Sequence, residues 1–133
     1  MSSLQKGVYN KMRTIKFRLI KDNKIISTQE LKPNGIIDCS VKWDIACQFT
    51  GLLDKQGKEI YEGDIVKRFI GMKEFHFEVE WYLHSYNLRC IENNSRLEIP
   101  IYGCVYGEKI STEMKLLEVI GNVWENPELL KVE

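Results

Sequence analysis

The sequence predicts a mainly β protein: a small, partly open barrel with a β-hairpin annex at its N-terminal end and a short helical turn at its C-terminal end. Three observations point there. Phe75, Phe77, Val79 and Trp81 alternate with His76, Glu78, Glu80 and Tyr82, the period-two pattern of a strand with one buried face. Two turns about seven residues apart, Asp54-Lys55-Gln56-Gly57 and Tyr61-Glu62-Gly63-Asp64, suit a strongly bent β-structure and not a long flat sheet. Gly121, in the middle of the last apolar run, marks a bulge or a close backbone approach of the kind a barrel corner requires.

In chain order, residues 1–11 are polar and without period, the composition of a mobile terminus. From Arg13 the chain alternates, with Ile15, Phe17 and Leu19 on one face and Lys16 and Arg18 on the other. Lys21-Asp22-Asn23-Lys24 supplies a tight hairpin turn, because Asp and Asn tolerate positive φ, and Ile25 to Thr28 returns. The breaker cluster Leu31-Lys32-Pro33-Asn34-Gly35 is a natural boundary. It separates residues 1–35, a flexible terminus and hairpin annex, from a barrel domain over residues 36–133.

Ile36 to Trp43 alternates imperfectly, and Val41, Trp43 and Ile45 suit one strand face. Asp44 to Phe49 fits either a strand or one helical turn at Ile45-Ala46-Cys47. In the first glycine turn, Asp54 suits a type I turn that bonds its own backbone two residues on, and Gly57 accepts the left-handed conformation. In the second, Gly63 sits where a type II turn needs positive φ. Asp64 to Ile70 then forms a hairpin with the strand through Phe75. Tyr86 to Ile91 is a weaker strand, Asn93-Asn94-Ser95 a turn, and Arg96 to Ile101 an edge strand, since Pro100 lacks an N–H. Gly103 to Met114 has two glycines and no period, and is expected to be a mobile loop. Leu116 to Trp124 is the last strand. Asn126-Pro127-Glu128 starts a miniature helix, with Asn as N-cap and Pro at the first position, and Leu129 and Leu130 pin it to the body.

At 133 residues, with 44% apolar and 29% charged residues, the chain is long enough to bury one core. No run approaches the roughly 18 apolar residues of a membrane span, and the first dozen residues lack the apolar stretch of a signal peptide. A bacterial cytoplasmic location is the expectation. The net charge of zero is unevenly placed: residues 1–35 hold eight Lys/Arg and two Asp/Glu, a balance of +6, and the remainder carries −6. Such polarity serves an anionic partner, or draws the basic stretch onto the acidic body or a neighbouring subunit.

The run Thr50 to Val66, TGLLDKQGKEIYEGDIV, resembles the signature of the YopX family of phage and prophage proteins. So does Glu118 to Leu130, EVIGNVWENPELL, and more loosely Ile15 to Ile25, IKFRLIKDNKI. The resemblance implies a small β-rich, partly SH3-like fold and a phage or prophage origin, and it supplies no catalytic mechanism.

The residues themselves offer no catalytic constellation. Glu59, Glu62 and Asp64 flank Tyr61 like an acid–base cluster, yet turn chemistry accounts for them. Gly51, Gly57 and Gly63 lack the strand-to-helix context of a phosphate loop. Cys39, Cys47, Cys90 and Cys104 show no metal-ligand or disulfide spacing, so free thiols and no metal or cofactor are expected. His76 lies on the polar face of the clearest strand and His84 stands near its end, both suited to exposed positions. Trp43, Tyr61, Phe69, Trp81, Tyr82, Tyr86, Tyr102, Tyr106 and Trp124 suit a barrel core and protein contacts. The expected function is therefore a non-enzymatic module that binds a phage or host protein, or a second copy of itself. The rival is nucleic-acid binding through Arg13, Lys16, Arg18, Lys21 and Lys24, with Arg13, Lys16 and Arg18 as the candidate anion-binding residues. A third reading, an enzyme with an unrecognised site, needs a deep pocket with converging polar groups.

Overall fold

The computed structural model describes residues 14–31, 42–83, 85–98 and 116–131. The expectations for residues 1–11, for Arg13, for the boundary at Pro33, for Cys39 and Val41, for His84, and for Pro100 through Met114 lie outside those residues. Two antiparallel sheets make up the described part, one of them curled into half a barrel. The first has four strands: β1 (Lys16–Lys21), β2 (Lys24–Glu30), β3 (Ile45–Leu53) and β4 (Glu59–Tyr61), in the order β2-β1-β3-β4. The second has five: β5 (Asp64–Ile70), β6 (Lys73–Tyr82), β7 (Ser85–Cys90), β8 (Arg96–Glu98) and β9 (Glu118–Asn122), in the order β8-β7-β6-β5-β9.

The N-terminal hairpin turns at Asp22 and Asn23, both with positive φ (51° and 61°), which matches the twist of the strands it joins. It is hydrogen-bonded along β1 to β3, Phe17 facing Gln48 and Ile20 facing Ile45. A register shift between Leu19 and Ile20 departs from the simple alternation, so that both side chains are buried. Asp44 to Phe49 resolves in favour of a strand, β3.

The stretch from Gln48 to Arg68 ties the two sheets together. Asp54 is buried, and its carboxylate accepts the backbone N–H groups of Gln56, Lys58 and Val119 at 2.8, 2.9 and 2.9 Å. The first two close the turn and the third fixes β9 to it. In the second turn the Asp64 carboxylate accepts the N–H of Tyr61 (2.8 Å), Gly63 donates to Val79 of β6, and Glu62 donates to Gln48 of β3. One turn therefore bonds both sheets.

Gly121 of β9 sits at a bulge, as expected, and the groups that crowd it are side chains and not another backbone. The pairing with β5 slips beside it, between Ile65 and Val66. A Cβ on Gly121 would lie 2.6 Å from the Asn126 side chain. A 3-10 turn, Pro127–Leu130, closes the described chain, with Leu129 and Leu130 half-buried. Asn126 does not cap it with its side chain, contrary to the expectation. Its Oδ1 instead accepts the N–H of Asn122 (3.1 Å), because the bulge turns that donor toward it. The main core comprises Leu52, Ile60, Val66, Phe77, Val79, Tyr86, Leu88, Cys90 and Leu117, contributed by both sheets. β8 is the edge strand that its sequence predicts.

Candidate functional site

Lys16 and Arg18 lie side by side on β1, as the alternation requires, and both turn toward carboxylates of the chain itself. Lys16 Nζ meets Glu59 at 2.7 Å and lies 5.7 Å from the centre of the Phe49 ring. Arg18 Nη1 donates to Asp64 Oδ1 at 2.7 Å, and the guanidinium lies over the Tyr61 ring at 3.9 Å. Tyr61 packs on Phe49, ring centres 5.4 Å apart, and its hydroxyl donates to Glu59 at 3.2 Å. The sequence places these charges correctly but not their partners, which arrive from 43 and 46 residues away. Glu59 serves Lys16 rather than a turn. Arg13 lies outside the described residues.

The electrostatics follow from burial. Asp64 is 1% exposed. Burial pushes its carboxyl up to about 6, against the pull of Arg18 and the Tyr61 N–H. Burial, with the neighbouring Glu59, also pushes the Tyr61 phenol up to about 12. The hydrogen bond that Lys16 donates to Glu59 holds the ammonium above its ordinary value.

Beside this pair a cleft of about 290 Å3 opens between the hairpin and β9. Arg18, Lys58, Asp64, Glu125 and Asn126 line it with polar groups, and Ile25, Val119 and Ile120 supply its apolar surface. Ile25 N–H donates to Glu125 at 3.2 Å, and Asn122 Nδ2 donates to the other Glu125 oxygen at 3.1 Å. The cleft thus joins the three stretches whose motifs stand out in the sequence. Nothing in any one of them reveals it, because its walls meet only in the fold.

A second feature lies at the tip of the hairpin joining β6 and β7. Tyr82 pairs with Ser85, so the loop is only two residues long. Leu83 takes φ 60° there and is 76% exposed. Two-residue hairpins favour Asn or Gly at such positions, and a bulky residue at positive φ is a genuine outlier. Trp81 and Tyr82 beside it are 50% and 42% exposed. The tip is held firmly from below. Trp81 meets the buried Tyr86 edge-on at 4.8 Å, and buried Asn87 donates to the Ser85 carbonyl at 3.1 Å.

Histidine and cysteine behave less freely than their exposure in sequence implies. His76 is not without a partner: its ring Nε2 lies 2.8 Å from Glu74, and Glu92 accepts its backbone N–H at 3.1 Å. Those acids flank it on the polar face of the sheet, where Arg89 likewise bonds Glu78, and Arg96 bonds Glu80. Cys47 and Cys90 are free and buried. Burial pushes the Cys47 thiol up to about 11, opposed by the nearby Trp124 indole. Among the described residues the buried Trp124 Nε1–H has no partner with good hydrogen-bond geometry, the neighbouring Cys47 thiol included. Among the described residues no group of three His, Cys, Asp or Glu side chains is placed to hold a metal ion.

The architecture is similar to that of a solved structure, protein EF1440 from Enterococcus faecalis, with a TM-score of 0.52. The likeness covers 90% of this chain and 100% of that one at 23% sequence identity, and it concerns the fold alone. No curated protein matches the chain. The family model described as YopX protein matches residues 4–131, nearly the whole length and including all three stretches that resemble it. The chain belongs to the YopX family.

Proposed function

We propose that the protein is a non-enzymatic accessory protein of a phage or prophage, acting in the bacterial cytoplasm by binding another protein through the β6–β7 hairpin tip. The observation that carries this reading is the conjunction of Trp81, Tyr82 and Leu83. Folding alone favours neither a leucine at positive φ nor an exposed leucine and a half-exposed tryptophan at one tip, with Tyr82 beside them stacked under Arg96. Binding favours both, since aromatic anchors on a rigid base contribute most of an interface's energy with little ordering cost. The tip's complement would be a partner that offers apolar surface to Trp81 and Leu83. The family resemblance supports the phage setting. No helix among the described residues is long and apolar enough to cross a membrane.

The test compares the parent with a Trp81→Ser, Leu83→Asn double variant in sedimentation and in capture from lysates of bacteria with and without the resident phage. Partners retained by the parent and lost by a variant that melts no lower support the reading. A parent mass above that of one chain, falling to it in the variant, would make the partner a second copy. Identical capture and mass in both proteins overturn the tip as the binding surface.

A further inference from the structure

The cleft between the hairpin and β9 has a surplus of hydrogen-bond donors. Its two acids are already engaged: each Asp64 oxygen accepts one bond, from Arg18 and from Tyr61 N–H, and each Glu125 oxygen accepts one, from Asn122 and from Ile25 N–H. Its donors are not. Arg18 carries five N–H groups and among the described residues spends one, on Asp64. Its side chain is 15% exposed and lines the cleft. Lys58, exposed at the same cleft, makes no ion pair among the described residues, and among them Asn126 engages its oxygen but not its amide nitrogen.

Three features narrow the class of ligand. The guanidinium is held flat by the Tyr61 ring and by Asp64, so its fork is oriented before any ligand arrives, which lowers the ordering cost of binding. The formal charges of Arg18, Lys58, Asp64 and Glu125 cancel, so the cleft has no net positive charge to hold the second charge of a phosphate, and an anion there depends on direct contacts to the two cations. The volume of about 290 Å3 is at the small end for ligand pockets, and Ile25, Val119 and Ile120 supply the smaller, apolar share of a surface that is mainly polar.

We propose that this cleft binds a single carboxylate carried on a short, partly apolar body, with Arg18 and Lys58 as its cationic contacts. That chemistry occurs in the C-terminal residue of a polypeptide and in a free short-chain acid. The site is separate from the hairpin tip and stands or falls independently of it.

The experiment is an NMR titration of the full chain, following the Arg18 Nε–H and the amides of Gly121, Asn122 and Asn126. The probes are N-acetyl-glycyl-valine, its C-terminal amide, isobutyrate and inorganic phosphate. The free-carboxylate dipeptide is expected to shift these signals and to bind at least about tenfold more tightly than its amide, the loss of one charge-assisted contact. Isobutyrate binding as well as the dipeptide assigns the site to free acids, and binding by the dipeptide alone assigns it to chain ends. Lys58→Gln, on an exposed side chain, is expected to weaken the dipeptide by about tenfold. Arg18→Lys retains a charge for Asp64, removes the fork and weakens it further. If Arg18→Lys fails to fold, the amide control and Lys58→Gln decide. Equal binding of acid and amide, tighter binding of phosphate, an affinity unchanged in Lys58→Gln, or no response to any probe overturns the proposal.

Discussion

Arg18 and Asp64 are 46 residues apart in sequence and 2.7 Å apart in space, and their ion pair joins β1 of one sheet to the first residue of β5 in the other. The pair is shielded from water, with Arg18 15% and Asp64 1% exposed. Removing one partner leaves the other charged, buried and unpaired, a far larger penalty than breaking a surface pair.

Asp64 gives the fold an unusual pH dependence. Its carboxyl is pushed from 3.8 up to about 6, so between those values the folded chain holds a proton that the unfolded chain has released. The contribution is therefore fully present below 3.8 and lost as the pH rises through about 6. Relative to Asp64→Asn, which keeps an acceptor for Arg18 and cannot titrate, the parent should lose about 1–3 kcal/mol across that window. Urea unfolding of both proteins at several pH values checks this. Parallel curves would show that Asp64 titrates as it does when unfolded.

Asp54 should behave in the opposite sense. Burial opposes its charge, but the N–H groups of Val119, Lys58 and Gln56 outweigh burial and hold its carboxyl below 3.8. Its contribution is present above 3.8 and is lost as the pH falls through its folded value. Asp54→Ala leaves three backbone donors without their acceptor. A loss of about 2–4 kcal/mol at neutral pH is expected, shrinking in acid. A variant within experimental error of the parent at neutral pH would remove Asp54 as the link between the first turn and β9.

The two turn glycines separate backbone strain from packing. Gly57 and Gly63 both have positive φ, 83° and 88°. A Cβ on Gly57 meets nothing within 4 Å, whereas one on Gly63 would lie 2.9 Å from Trp124 Nε1. Gly57→Ala should cost about 1 kcal/mol of strain, and Gly63→Ala about 2–4 kcal/mol because Trp124 must also move. Equal losses in thermal unfolding would mean that Trp124 yields freely.

Much of the fold is legible in local pattern, because turns and alternation are local properties. Asp22-Asn23, Gly57, Gly63 and Gly121 each announce a conformation that few other residues adopt, and each has it or fills the close contact it implies. The hairpin and the β5–β6 pairing follow from the same logic. The cleft is not legible, since Lys58, Arg18 and Glu125 come from three separate stretches and nothing in any of them specifies the others. The exposed tip was hidden for a different reason. Trp81 continues the buried face of β6 in the sequence, and only the end of the sheet leaves it half in water. Asn126 misled because its capping pattern is real, yet the bulge at Gly121 offers its side chain a nearer donor.

The basic N-terminal stretch should bind nucleic acid feebly. Lys16 and Arg18 are its two described charges that project together, and both are engaged with Glu59 and Asp64. A phosphate would have to displace those carboxylates, and among the described residues of the stretch Lys21 and Lys24 at the hairpin tip offer two further contacts. With about 0.9 per phosphate on duplex DNA, the log–log salt slope should be no steeper than about −2. Filter binding at low and high salt measures it. Sub-micromolar binding with a slope near −4, abolished by Lys16→Glu with Arg18→Glu in a folded protein, would restore the nucleic-acid reading.

Leu83 should show stability and binding moving in opposite directions. Its φ of 60° is costly for a leucine and ordinary for an asparagine at the first position of a two-residue hairpin turn. Its side chain is 76% exposed, so removing it forfeits little burial. Leu83→Asn should therefore raise the unfolding free energy by about 0.5–1 kcal/mol, through relief of the turn and a smaller exposed apolar patch. If the tip binds protein, the same substitution should weaken capture of the partner, as should Trp81→Ser, which keeps the backbone of the turn unchanged. A variant that is both more stable and less able to bind shows that leucine stands there for an interaction. One that loses stability shows that Leu83 packs within the chain, and the tip would then carry no functional reading.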